Sequence, residues 1–200
     1  MTNPTVGLAA HPGRVDIRIT AKAGTEIEVD QMLWEVEATL QQRLGHRIYG
    51  SDRDTLESVA LASIAEAGYQ LAVLESGTGG ALTSALTGQG IVLLDGDELR
   101  AGTDQETVFA GGEQIEAETS EKEGAEALAI LREQLEAQIG LFLRLQPRED
   151  GVDILILFQS PEADWRKERS FGGPLPNAAA WAVSIALDSV RRQFTPEDAA

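Results

Sequence analysis

The chain has 200 residues, 42% hydrophobic and 24% charged, enough to bury the core of one large domain or of a large and a small one. Sixteen Lys/Arg against 33 Asp/Glu give a net charge of −17, which repels nucleic-acid phosphates over most of the surface; the densest basic cluster, Arg166, Lys167 and Arg169, is interleaved with Glu162, Asp164 and Glu168. The absence of cysteine excludes disulfides, thiol catalysis and thiolate metal sites, and no apolar run is long enough to span a membrane or serve as a leader.

The chain therefore reads as cytoplasmic, with no metal, no cofactor, and no nucleic-acid or membrane partner expected. In chain order, residues 5–10 (TVGLAA) and 15–22 (VDIRITAK) read as strands, because His11-Pro12-Gly13-Arg14 is turn chemistry and Val15, Ile17 and Ile19 alternate with polar neighbours. Val29, Leu33, Val36, Leu40 and Leu44 then recur at helical spacing up to Gly45, which makes residues 1–50 a small β-β-α module. Ser51-Asp52-Arg53-Asp54 leads into a capped helix marked by Leu56, Val59, Ala60, Ile64 and Ala67. Leu71–Leu74 is a buried strand, Thr78–Thr87 a short helix and Ile91–Leu94 a further strand candidate. Residues 95–118 carry many acids and few large apolar groups, so mostly irregular surface is expected there.

Ser120 and Glu123 have the spacing of a capping box, and Leu128, Leu131, Leu135 and Ile139 mark the apolar stripe of the helix that follows. The runs 140–146, 152–159 and 165–171, separated by turn residues, suit an antiparallel meander. Asn177 is placed to cap a last helix, with Ala180, Val183, Leu187, Val190 and Phe194 on one face and Trp181 and Ile185 on another; 196–200 reads as a tail. The expected fold is α/β: a three-layer α/β/α mixed sheet over residues 51–195, preceded by the small β-β-α module.

Chemistry concentrates in LAVLESGTGGALTSALTG, residues 71–88. Ser76 at a strand-to-helix turn is either a nucleophile or, more commonly for serine there, a helix cap. Glu75 is either a buried catalytic acid or an acceptor for loop amides, the more frequent role of a buried carboxylate. The glycines lack the spacing of a P-loop or a dinucleotide fingerprint and are a weak phosphate loop; close packing of helix on strand is their simpler explanation.

NPTVGLAAHPGRVDIRITAK, then a helix and LGHRIYGSD, resembles the small central domain of the CinA (competence/damage-inducible protein) family and its exit motif G-x-x-I-Y-G-x-D. YQLAVLESGTGGAL resembles the opening of the family's C-terminal domain, whose signature is A-E-S-C-T-G-G. The larger N-terminal domain of full-length members, similar to molybdopterin-binding proteins, has no counterpart in this sequence, nor do the first strand and helix of the central domain. In active members the C-terminal domain is a nicotinamide-mononucleotide deamidase. The resemblance implies that Ser76 would be the nucleophile. Glu75, Gly77, Thr78, Gly79 and Gly80 would line the ligand site, with the amides of residues 78–80 facing an anion.

Other family motifs are altered. Leu94, Asp95 and Gly96 stand against Tyr, Ser and Asn of Y-S-N-x-x-K, and Leu99 against its lysine, which helps to activate the serine. Neighbouring Arg100 stays protonated and makes a poor base. LRLQPRED replaces the loop T-G-I-A-G-P, Gly77 stands where the family has cysteine, and Gly173, Pro174 and Ala178 occupy the positions of an acid and two arginines. The expectation is a catalytically degenerate relative with a binding or assembly role, holding a nucleotide weakly if at all. An active amidohydrolase with a non-standard base, Lys122, is the alternative. A homodimer or higher homo-oligomer is expected, because a β-β-α module lacking a strand leaves a sheet edge open.

Overall fold

The computed structural model describes residues 3–87 and 108–195. The alternating hairpin forms as β1 (Thr5–His11) and β2 (Arg14–Thr20), paired antiparallel in unbroken register. Helix α1 (Glu26–Leu44) follows, its first turn closed by a capping box between Thr25 and Glu28. Helix α2 (Leu56–Glu66) starts at Thr55, which exchanges hydrogen bonds with Ser58, so its cap lies just after Ser51–Asp54.

The main sheet has five strands in the order β4-β3-β5-β6-β7: β3 (Leu71–Ser76), β4 (Phe109–Ile115), β5 (Ile139–Arg148), β6 (Gly151–Gln159) and β7 (Trp165–Phe171). Strand β3 is parallel to both neighbours, and β5, β6 and β7 form the expected antiparallel meander. Helices α3 (Ala81–Thr87), α4 (Glu121–Gln134) and α5 (Leu175–Phe194) complete the fold. Leu71, Val73, Leu141 and Ile156 join α2, α3 and α5 on one face; Ala72, Leu74, Phe142 and Leu155 join Leu128 and Leu131 of α4 on the other. This is the three-layer α/β/α mixed sheet.

Three elements depart from expectation. Within 95–118, β4 replaces irregular surface. It is hard to see in the sequence because Gly111 and Gly112 lie in it, where added side chains would press on Leu135 and Thr83. Ile139 opens β5 instead of extending α4, which stops at Leu135. Helix α5 begins at Leu175 with Pro174, in extended conformation, as its N-cap, leaving Asn177 inside the first turn; Pro176 falls in that first turn, where a missing N–H breaks no helical hydrogen bond. The strand candidate 91–94, the residues aligned with Y-S-N-x-x-K and the tail 196–200 lie outside the described residues. No described helix is long and apolar enough to cross a membrane.

The hairpin module is tied to the larger layer through α5. Ser184 Oγ donates to the Pro12 carbonyl (3.1 Å), and Gly13, at φ 77°, sits against Ser184 and Trp181 too closely for any side chain. Arg191, almost fully buried, donates to the His46 carbonyl (2.8 Å) and to Asp188.

Packing of α4 on the sheet gives a test of sign. An exposed helical Gly→Ala change stabilises by roughly 1 kcal/mol. At Gly124, however, a Cβ would overlap the ring of fully buried Phe142. Gly124→Ala is expected to lower stability by about 1–3 kcal/mol in urea unfolding; a gain would contradict this packing.

Candidate functional site

Side chains alternate across a strand, and this alternation decides what residues 71–76 can do. Leu71 and Val73 face α2, α3 and α5, so Glu75 points to the same side; Ala72 and Leu74 face α4, and so does Ser76. The acid and the serine at the end of β3 are therefore delivered to opposite faces of the sheet.

Glu75 is wholly buried at the start of α3. Its Oε2 accepts from the Thr78 hydroxyl (2.6 Å) and the Leu82 amide (2.9 Å), and its Oε1 from the Thr83 amide (2.7 Å). The carboxylate thus occupies the anion position at the helix start, satisfying donors that a first turn leaves free. Thr78 is buried and its oxygen also accepts from the Gly80 amide (3.2 Å). Of the glycines in the turn, Gly79 is exposed, and Gly80 is buried with Gln114 too near for a side chain to be added freely.

Ser76 is 1% exposed and does not cap α3. Its hydroxyl donates to the carbonyl of Glu116 (2.7 Å), which also accepts from the Thr119 hydroxyl (2.7 Å) and amide (3.2 Å). Arg144, opposite Ser76 in register, is spent on the Thr119 carbonyl (2.8 Å). The loop after β4 thereby closes over the serine, a contact forty residues away in sequence that no local signal announces.

Gly77 follows at φ 71°, and a Cβ built on it would come within 3.0 Å of the Leu145 carbonyl oxygen. Leu145 belongs to the stretch LRLQPRED, aligned with the family's pocket loop. Here that stretch is strand: β5 continues in register with β6 through Leu145↔Ile154 to Arg148↔Gly151 and turns over Glu149 and Asp150. Ala178, at the position of a family arginine, is fully buried against the sheet, and Pro174 is the N-cap of α5.

The described lysines stand elsewhere. Lys122 is 86% exposed and paired with Glu126 (3.8 Å); it lines an open groove with Glu121, Leu157, Trp165 and Arg166, of which Ser76 is not a wall. Burial lowers the Lys167 pKa, but this residue lies on β7, donates to Ser189 of α5 (2.7 Å) and sits over the Trp165 ring. His11 Nε2 lies 2.9 Å from Asp16 in the hairpin module. Among the described residues no three His, Asp or Glu side chains converge as a metal site would require.

Residues 1–50 match the family described as Damage-inducible protein CinA KH domain. A CinA-like protein of Frankia casuarinae is 30% identical across 96% of this chain and 47% of its own length. The chain belongs to the CinA family. A CinA-like protein of Synechococcus is 47% identical over 42% of the chain and 20% of its own length. This CinA-family chain spans about half the length of the Frankia relative. Among solved structures, a competence or damage-inducible protein from Enterobacter asburiae superposes with TM-score 0.54 at 16% identity, covering 72% of this chain and all of its own. A CinA superfamily protein from Klebsiella pneumoniae gives 0.52 at 17%, covering 70% and 95%. Both are similar in fold.

The Glu75 contacts yield a prediction. In Glu75→Gln one acceptor oxygen becomes an NH₂ group that cannot serve the amide it faces. Urea unfolding is expected to show a loss of about 1–3 kcal/mol, the scale of a charge-assisted hydrogen bond left unmade in the interior. An unchanged midpoint would contradict the capping role.

Proposed function

We propose that this is a CinA-family protein that has lost nicotinamide-nucleotide deamidation and retains the fold for a binding or assembly role. The observation that carries this reading is the closed serine: Ser76 is buried, and its hydroxyl donates to the Glu116 carbonyl. Hydrolysis of a carboxamide by acyl transfer needs a hydroxyl whose proton a base can take, room for the carbonyl beside it, and donors for the oxyanion. A backbone carbonyl is no base. The β5 backbone stands against the residue next to the serine, and of the amides expected to face an anion, that of Gly80 already serves the Thr78 hydroxyl.

Phosphate recognition is weakened by the same changes. A mononucleotide brings an anion to a protein of net charge −17, and the two arginine positions are filled by a proline cap and a buried alanine. A helix start contributes roughly 0.3–1 kcal/mol to an exposed anion. Here the Glu75 carboxylate is already in place. Even a millimolar complex requires about 4 kcal/mol.

Purified protein is therefore expected to release no ammonia from nicotinamide mononucleotide, and calorimetric titration to show no binding tighter than about 1 mM. Ser76→Ala should leave both results unchanged while lowering stability by about 1 kcal/mol, because the Glu116 carbonyl loses a donor. Turnover near 1 per second or faster, or micromolar binding abolished by Ser76→Ala, would overturn the proposal.

A further inference from the structure

In the sequence the basic residues of β7 are mixed with acids, and the pleat of the strand separates them. Arg166 and Glu168 lie opposite Leu157 and Leu155, on the α4 side of the sheet. They bind each other (2.7 Å), and Arg166 also binds Glu121 of α4 (2.8 Å). Lys167 and Arg169 lie opposite Ile156 and Ile154, on the α5 side. Among the described residues neither forms an ion pair: Lys167 Nζ donates to Ser189 Oγ of α5 (2.7 Å), and Arg169 to the Glu168 carbonyl (2.7 Å). The remaining acids near β7 in sequence are engaged elsewhere, Glu162 with the Tyr69 hydroxyl (2.7 Å) and Asp164 with the Ser160 amide (3.2 Å).

Helix α5 adds a third cation to this face. Arg192 lies three residues after Ser189, and Asp188, beside Ser189 in sequence, is shared between Arg191 (2.6 Å) and Arg192 (2.7 Å). Residues two apart on a strand are about 7 Å apart, and those three apart on a helix about 5–6 Å. Because the Lys167–Ser189 bond joins the two elements, Lys167, Arg169 and Arg192 share one patch. The charged groups facing Lys167 are Arg169 of β7 and Asp188 and Arg192 of α5, while β6 contributes Ile154 and Ile156. The single carboxylate is thus already bound by two arginines.

Lys167 is the centre of the patch. It is half-buried, with Nζ 4.9 Å from the centre of the Trp165 ring, which is itself stacked on Phe158. Burial first, and then the Arg169 charge, lower its pKa. Its partner Ser189 is neutral and donates its own proton to the Ile185 carbonyl (2.7 Å). A partly desolvated ammonium beside two guanidinium groups is stabilised by an anion that bridges them. The net charge of −17 opposes any anion, but at physiological salt such fields fade over roughly 8 Å, so the cations in contact decide. Linked phosphates carry enough charge and enough oxygens to reach all three cations at once, which a lone carboxylate does not. The Trp165 ring, taken up by Phe158 and Lys167, is no platform for a base.

We propose that Lys167, Arg169 and Arg192 form a binding site for a small polyphosphate anion, recognised through its phosphates alone. Ser76 faces the opposite side of the sheet, so failure of this site would leave the closed serine as it is. Calorimetric titration of the full chain with sodium tripolyphosphate, at ionic strength held constant with chloride, should give a Kd below about 0.3 mM. Lys167→Met, which keeps an apolar stem over Trp165, and Arg169→Gln, at an exposed position, should each weaken binding at least about tenfold, the scale of a charged hydrogen bond, with unchanged circular dichroism. Lys122→Gln removes the same charge from an exposed position on α4 and should leave the Kd within about twofold. Adenosine triphosphate should bind no more tightly than tripolyphosphate. Binding weaker than about 1 mM, full affinity in Arg169→Gln or in folded Lys167→Met, an equal loss in Lys122→Gln, or adenosine triphosphate bound about tenfold more tightly than tripolyphosphate would each overturn the proposal.

Discussion

The carbonyl oxygen of Leu145 lies where a side chain at position 77 would have to begin. Glycine at φ 71° is the residue that lets the chain turn from β3 toward α3 beneath that strand. Because β5 runs on in register to Arg148, no loop opens beside the turn. Gly77 is therefore matched to the path of β5: a side chain at this position and the extended strand cannot occupy the same space.

The same turn shows how a motif can be required by the fold alone. Glu75 binds the Thr78 hydroxyl and two amides of α3, and it would be needed for that with or without catalysis, since a short helix behind a buried strand has few other ways to satisfy its first turn. Thr78 and Gly80 take part in the same network. Retention of E-S-x-T-G-G is thus accounted for by folding. On the proposed reading, selection acts on the fold.

Much of this was legible in the residues. The turn His11–Arg14 between alternating runs specified the hairpin, the Ser120/Glu123 spacing placed α4, and three strand-like runs between turn residues gave the meander. These signals are local. Strand β4 was hidden because Gly111 and Gly112 answer to Leu135 and Thr83 on other elements. The partner of Ser76 was hidden because Glu116 is forty residues away. Asn177 is not the cap because the helix starts two residues before it, where the Pro174 carbonyl accepts from the Asn177 and Ala178 amides and no side chain caps the first turn.

Restoring the family's cysteine asks most directly whether β5 has taken the space of the pocket. Urea unfolding of Gly77→Cys is expected to show a loss of more than about 3 kcal/mol, since strain at positive φ and overlap with the Leu145 carbonyl act together. A midpoint within about 0.5 kcal/mol of the wild type would mean that β5 yields readily and that the site is not closed as described.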